Sequence, residues 1–497
     1  MSPVFLMAIA TDSVHIFNEF AFRYGEVRDK RRAILETMAA VGHPVFYSDL
    51  TTALGFAALA TATIVPVKVF GLLVGFGTLV ILLMSYTLVP AIMALLDERK
   101  ISRAAHSTKQ EGSLEPSYLA RLGEFCVRHA GRIAIAGLAL LVISGVGLSL
   151  IQVNNNMVHW FKSGSDIRVA DRELNTRLGG TSTGYLVIEA SSENAIKDPA
   201  MLGAIEGLQR TLEKDPLVGK TFSVVDIVKR INRVLHGDDP VFDRIPDSAT
   251  EIGQYLFLFG MSAKPSDLDN IVDYPFQKAN LMLQLKSWDA GVMRSVIDRT
   301  KNYLSAHPLP GGATVSPAGI ATFNLVWSDE VLWGMIESFM AGLALVLIIL
   351  VLQTRSIPWG ILTFLPLLFT IAVIYGFVGF LAKDFDMPVA VLSTLSLGLA
   401  VDFAIHFVAR FRQRLRERPG VREALVWTVA RPGKGILLNA LLFALGFAVM
   451  MGASLTPYIT VGILMAVIML LSAVMSIVYL PVLIKFFQRI LIKGEKS

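Results

Sequence analysis

The sequence predicts a polytopic α-helical membrane protein with one α+β domain set between two of its spans. Three observations carry this. Of 497 residues, 54 % are of the apolar set AVILMFWYC, while Asp, Glu, Lys and Arg make up only 17 %, well under the usual quarter of a soluble domain. Mean hydropathy is +0.58. The apolar residues fall into nine stretches of spanning length, and one stretch of about 180 residues, 153–332, interrupts them with ordinary polar composition. A disordered chain, a coiled coil and an ordinary soluble enzyme are excluded on these grounds.

The nine stretches lie near 3–20, 49–66, 69–95, 132–152, 333–353, 358–381, 388–408, 435–454 and 458–484. Three of them fill 1–96; a cytoplasmic linker, 97–131, follows, polar with Gly and Pro over 99–117. The span 132–152 leads into the 153–332 domain, and 333–486 holds five further spans before a cytoplasmic tail, 487–497. Segments 31–44 and 422–434 are amphipathic and basic, and are expected as short helices at the membrane interface. Asp49 is expected at the headgroups, exposed at the cytoplasmic end.

Lysine and arginine set the orientation. The loops 21–47, 97–131, 354–357, 409–434 and 485–497 together carry 24 of them, and the opposite loops carry only Lys68 and Lys383. The basic side is therefore read as cytoplasmic, with residues 153–332 outside. The basic residues sit in short runs between apolar segments and form no single patch, so a nucleic-acid partner is not expected. The lone cysteine, Cys126, excludes a disulfide framework and a thiolate metal cluster. No Walker A, HExxH or GxSxG sequence occurs, and neither a metal, a cofactor nor an enzymatic activity is expected.

The outer domain reads as strand–helix followed by strand–helix–strand. Tyr185–Glu189, Asn280–Leu285 and Ala313–Val315 have strand character. Residues 198–214 and 291–305 have helical periodicity, with 222–236 and 247–260 as added helices. This is the pattern of a split βαβ, ferredoxin-like layer. His159, His236 and His307 are far apart in sequence and are read as ordinary surface residues.

Shifting the sequence by 391 lays residues 11–95 onto 402–486 without a gap, with about twenty of 85 positions identical. His15 meets His406, Phe20 meets Phe411 and Gly42 meets Gly433. Ala53-Leu54-Gly55-Phe56-Ala57 meets Ala444-Leu445-Gly446-Phe447-Ala448, and Pro66 and Pro90 meet Pro457 and Pro481. Coincident prolines and glycines are not a product of shared apolarity. The chain contains a duplicated unit. The mate of the span at 132–152 would fall about 260 residues before Met1, which gives the expectation of a C-terminal piece of a protein of roughly 760 residues.

The run Gly398-Leu399-Ala400-Val401-Asp402-Phe403-Ala404-Ile405-His406-Phe407, followed by Arg410-Phe411-Arg412, resembles the fourth span of a repeat half in the RND superfamily, in its MMPL-domain, hydrophobe-exporter branch. Ala10-Thr11-Asp12-Ser13-Val14-His15-Ile16 is similar to its counterpart in the other half. Asn156 to Phe161, continuing to Ala170-Asp171-Arg172, resembles the start of that branch's second periplasmic domain. The resemblance implies a pseudosymmetric bundle in a bacterial inner membrane with 153–332 periplasmic, and a sterol-sensing-type region in 1–96. It also implies a lipid, sterol- or hopanoid-like molecule or drug as cargo, and proton motive force as the energy source. It leaves room for a homo-oligomer or a periplasmic partner.

A carboxylate at membrane depth costs about 2.5–3.5 kcal/mol on insertion scales, which makes it a functional candidate. Asp402 and His406 are four residues apart and face one way on a helix; Asp12 and His15 are three apart. These four are the candidate proton relay. The gapless register puts Asp402 on Thr11 and Asp12 on Phe403, so the two aspartates need not occupy equivalent places. Thr11, Ser48, Thr51, Thr52 and Asn439, the last being the mate of Ser48, are the polar residues expected to support the relay through interhelical hydrogen bonds. Two alternatives stay open: a lipid sensor or scaffold on the same fold that transports nothing, and an inactive fragment.

Overall fold

The structure, a computed structural model, describes residues 2–97, 118–262 and 268–493, and the side chains of 13, 16–97, 118–262 and 268–491. The chain divides into two compact units, one of Met1–Val153 with Glu330–Ser497 and one of Asn154–Asp329.

In the first unit, α1 (Ser2–Val27), α2 (Lys30–Ala57) and α3 (Val65–Leu95) are followed by α4 (Tyr118–Arg128) and α5 (Ala130–Ser149). Among the described residues, seven helical runs are long and apolar enough to cross a membrane, and the protein is multi-pass: Val65–Leu95, Ala130–Ser149, Gly319–Thr354, Ile357–Phe380, Met387–Glu417, Val421–Gly452 and Thr456–Leu491.

The second unit begins with α6 (Asp166–Arg177), then β1 (Ser182–Glu189), α7 (Pro199–Leu212), β2 (Val218–Phe222), α8 (Val224–Leu235) and α9 (Ala249–Ser262). It continues with β3 (Lys278–Leu285), α10 (Ala290–Ala306) and β4 (Thr314–Ala318). The sheet order is β2-β3-β1-β4, every pairing antiparallel, which is the ferredoxin-like order. Period-two burial puts Leu186 and Ile188 of β1 and Leu281, Leu283 and Leu285 of β3 on one face. Period-3.6 burial brings Leu202, Ile205, Leu208 and Leu212 of α7 and Val292, Met293 and Val296 of α10 into the same core. The segment 153–181 is tied to α10 by Asp289, whose Oδ1 accepts from Asn154 and Asn156 Nδ2, both at 2.8 Å. Burial acts to raise the Asp289 pKa, but hydrogen bonds with Asn154, Asn156 and Ser287 and the charge of His159 outweigh it, and the group ends below the usual carboxylate value.

β2 was not legible as a strand in the sequence: Val218-Gly219-Lys220-Thr221-Phe222 is short and takes an irregularity between Val218 and Lys220.

The chain then returns to the first unit through α11 (Gly319–Thr354). α12 (Ile357–Phe380), α13 (Met387–Glu417), α14 (Val421–Ala430), α15 (Pro432–Ala448), α16 (Thr456–Val474) and, after a π turn at Met475–Tyr479, α17 (Leu480–Lys493) complete the bundle. Adding 391 to the bounds of α2 returns the start of α14 and the end of α15; the 3₁₀ turns Ala58–Thr61 and Val449–Gly452, and the starts of α3 and α16, superpose the same way. The duplication is structural.

Of the two segments expected as short helices, 422–434 holds one, α14, and 31–44 does not. Residues 31–44 do not form a separate helix; α2 runs unbroken through Pro44. The second copy breaks at Arg431, where Pro432 restarts the helix at its first turn, the position a ring without N–H tolerates. α13 is the central helix: 89 % of its apolar window is buried, against 17 % for α5.

Candidate functional site

α13 and α2 cross closely because the crossing is made of small residues. A Cβ built on Gly398 would lie 2.7 Å from Thr52 Cα, and Gly55 faces Gly398 across the same contact. This approach lets polar side chains on α2 reach the backbone and side chains of α13. Thr52 Oγ1 donates to the Gly398 carbonyl at 3.0 Å. One turn further along α13 lies Asp402, 5 % exposed, and Ser48 Oγ donates to its Oδ1 in a short hydrogen bond. His406, also 5 % exposed, holds its Nε2 3.1 Å from the same Oδ1. The structure thus brings Asp402, His406 and Ser48 together around one carboxylate oxygen.

The other candidate residues are placed as follows. Thr51 is buried, and its hydroxyl donates back to the Ser48 carbonyl at 2.7 Å, fixing the turn that carries Ser48. Asn439 on α15 is fully buried. The side chains of Thr11, Asp12 and His15 lie outside the described residues. Asp49 corrects the expectation of an exposed carboxylate: it is 6 % exposed, packed in the bundle beside Ser48.

Sequence reasoning missed two contacts. Ser472 of α16 donates to the Ala400 carbonyl at 2.6 Å, bracing α13 from the side opposite in sequence to α2. Arg410 Nη2 donates to Glu19 Oε2 at 2.8 Å, with both side chains 14 % exposed. Glu19 and Arg410 are 391 residues apart and so occupy equivalent positions in the two copies. The repeat register already paired them in the sequence.

Chemically, a carboxylate, an imidazole and a hydroxyl gathered at one buried point can hold and hand on a proton, since two of the three titrate and the third can donate and accept. Among the described residues no cluster of His, Cys, Asp and Glu could hold a metal ion.

The sequence profile of the MMPL family matches residues 1–132 and 262–496, which is most of the chain. The chain belongs to the MMPL family. Among relatives of this MMPL chain is the mycolic acid-containing lipids exporter MmpL11 of Mycolicibacterium smegmatis, 22 % identical over 98 % of this chain and 48 % of that protein. The putative membrane protein MJ1562 of Methanocaldococcus jannaschii is 23 % identical over 64 % of this chain and 80 % of its own length. The fold of the MMPL chain is similar to that of the hedgehog release protein Disp from the water bear Hypsibius dujardini, with a TM-score of 0.62, 13 % identity, and coverage of 96 % of this chain and 62 % of that one. The RND-type membrane fold expected from Asp402, His406 and their neighbours is therefore the fold observed. The chain spans about half the length of MmpL11.

Proposed function

We propose that the protein couples proton movement through Asp402, His406 and Ser48 to the export or periplasmic trafficking of a hydrophobic or amphiphilic compound in a bacterial inner membrane, with residues 153–332 on the periplasmic side. The observation that carries the reading is the Asp402 carboxylate: buried in the central helix, bonded by Ser48, and 3.1 Å from His406 Nε2. A carboxylate in such a place is costly unless it is used. The name of the MmpL11 relative, a lipid exporter, supports an apolar cargo. On this reading Asp402 takes up the proton, His406 relays it toward the arginine-rich end of α13, and Ser48 holds the carboxylate toward α2 so that protonation alters the α2–α13 contact.

The test uses Asp402→Asn, which keeps size and loses titration. The wild-type protein, reconstituted in liposomes with an internal pH dye and a fluorescent lipid analogue, should show proton movement coupled to lipid export. Asp402→Asn should lose both by tenfold or more while inserting at the wild-type level. Thr51→Ala, whose hydroxyl serves only its own turn, should retain most of the rate. Wild-type transport by Asp402→Asn across an imposed proton gradient would sink the reading.

A further inference from the structure

A cavity of about 570 Å³ opens in the second unit against α6. Its size suits a small ligand or a headgroup. Arg168, Arg172, Asn175 and Thr176 line it from one face of α6, at the three- and four-residue steps that keep side chains together on a helix. Lys286, just past the end of β3, lines it too. The acid there is Asp171, whose Oδ1 accepts from the Thr181 hydroxyl at 2.6 Å; the same hydroxyl takes the Trp288 indole N–H at 3.2 Å. Three cations therefore share the cavity with one carboxylate that is already engaged.

The second unit contains nine arginines. Seven of them have a carboxylate at 3.4 Å or closer. The two that form no ion pair among the described residues are Arg168 and Arg172, and both line this cavity. Acids are near them in sequence, yet Asp171 turns to Thr181 and Glu173 pairs with Arg177 at 3.2 Å. Like charges four residues apart on a helix repel, and Arg168 is half-buried, where water screens it less. An anion in the cavity would cancel that repulsion. Beside this face of α6 runs an apolar one. Ile167, Leu174 and, at the C-cap, Leu178 fall on one stripe by their spacing of seven and four, and all three are exposed. α6 has no buried residue, so neither face is spent on the core of its own unit.

We infer that α6 binds an anionic amphiphile, its oxyanion headgroup in the cavity among Arg168, Arg172 and Lys286 and its chain along Ile167, Leu174 and Leu178. Guanidinium forks match an oxyanion such as phosphate two bonds at a time, and the stripe takes the chain out of water. A free anion would use the first face only and a neutral lipid the second only. The two side by side select a ligand that carries both. The inference rests on the amphiphilic cargo of the proposed function and narrows it to an anionic one, and it uses no group of the Asp402 site.

The experiment titrates the full chain, held in phosphatidylcholine nanodiscs, with three soluble probes: dihexanoyl phosphatidic acid, dihexanoyl phosphatidylcholine and inorganic phosphate. Binding is read as protection of the α6 amides in hydrogen exchange, with melting temperature alongside. Dihexanoyl phosphatidic acid should protect α6 saturably, inorganic phosphate should do so only at about tenfold higher concentration, and dihexanoyl phosphatidylcholine, whose phosphate carries its own cation, should not saturate. Arg168→Gln combined with Arg172→Gln keeps good helix formers and removes the repulsion, so it should hold the melting temperature while weakening phosphatidic acid about tenfold or more. Should that variant fail to fold, Lys286→Gln at an exposed position gives the same test with a smaller, roughly threefold loss. Leu174→Gln should weaken phosphatidic acid about threefold and leave inorganic phosphate unchanged. No saturable protection of α6, or protection indifferent to the loss of these cations, overturns the site. Equal binding of inorganic phosphate and phosphatidic acid, with Leu174→Gln neutral, overturns the amphiphile. The measurement is made at equilibrium with no proton gradient, so its failure is distinct from a failure of proton coupling at Asp402.

Discussion

At the scale of single residues, the Asp402 centre depends on the absence of a side chain as much as on the side chains present. Gly398 is four residues before Asp402, and a methyl group there would meet the backbone of α2 at Thr52. Gly398→Ala must therefore push α2 away from α13, at a cost of about 1–3 kcal/mol for overpacking. We expect a lowered melting temperature and, because Ser48 is drawn off Asp402, a transport loss larger than the stability loss explains. Normal transport in a destabilised variant would show that the Ser48–Asp402 bond is dispensable. The pair Asp402–His406 was legible in the sequence because a spacing of four turns both side chains to one side. The Ser48–Asp402 contact joins residues 354 apart, and what pointed toward it was that Ser48, Thr51 and Thr52 are polar residues opening another span, with Asn439 the mate of Ser48 in the repeat. Thr51 and Thr52 looked like equal candidates, yet both hydroxyls are spent on backbone carbonyls, a local choice that sequence spacing does not reveal.

Among elements, the nine apolar stretches were read from the demand of a membrane for about 20 apolar residues at a time; seven helical runs among the described residues are long and apolar enough to span, and the stretches 3–20 and 49–66, in α1 and at the end of α2 with the turn after it, fall outside them. What failed was continuity. Residues 31–44 read as a short helix of their own, yet α2 passes on through Pro44, while its second copy stops at Arg431. In the α+β unit, β1 and β3 stood out by alternation, whereas β2, with Gly219 and Lys220 at its centre, offers too little apolar surface to register. The start of α10 gives a prediction at this scale. Asp289 titrates lower in the folded protein than in the unfolded chain. Its stabilising effect is thus full above the ordinary carboxylate value and is lost as pH falls through the depressed folded one. Hydrogen exchange at the first turn of α10 in the whole protein, corrected for intrinsic rate, should show protection falling as pH drops below the ordinary carboxylate range. In Asp289→Asn that fall should flatten, with protection already lower at neutral pH. An identical pH profile in the variant would remove Asp289 from the account.

For the whole molecule, the distribution of positive charge predicts one orientation. With 24 Lys and Arg on one set of loops and two on the other, reporters fused after residue 110 and at 497 should read as cytoplasmic and one near 240 as periplasmic. Alkaline phosphatase and green fluorescent protein fusions give opposite signals and so check one another. A cytoplasmic signal from position 240 would overturn the span assignment. The repeat, by contrast, needed no membrane argument: a gapless shift preserving Pro66, Gly71 and Pro90 was legible because those residues fix backbone geometry, and the helix bounds of the two copies follow it.

The contact between Glu19 and Arg410 bears on ancestry. Equivalent residues that touch must lie beside the axis relating the two copies. In an assembly of two identical chains, the same residue would face itself there, Glu against Glu or Arg against Arg, at only 14 % exposure. Like charges so placed repel, and screening by water is weak. An attractive pair at an axial position is available only to a gene in which the two copies can differ. The charge split therefore arose after the copies were joined or while they diverged as separate genes. It now acts as a lock on pairing: neither copy can assemble with a second version of itself without burying a repulsion at its centre.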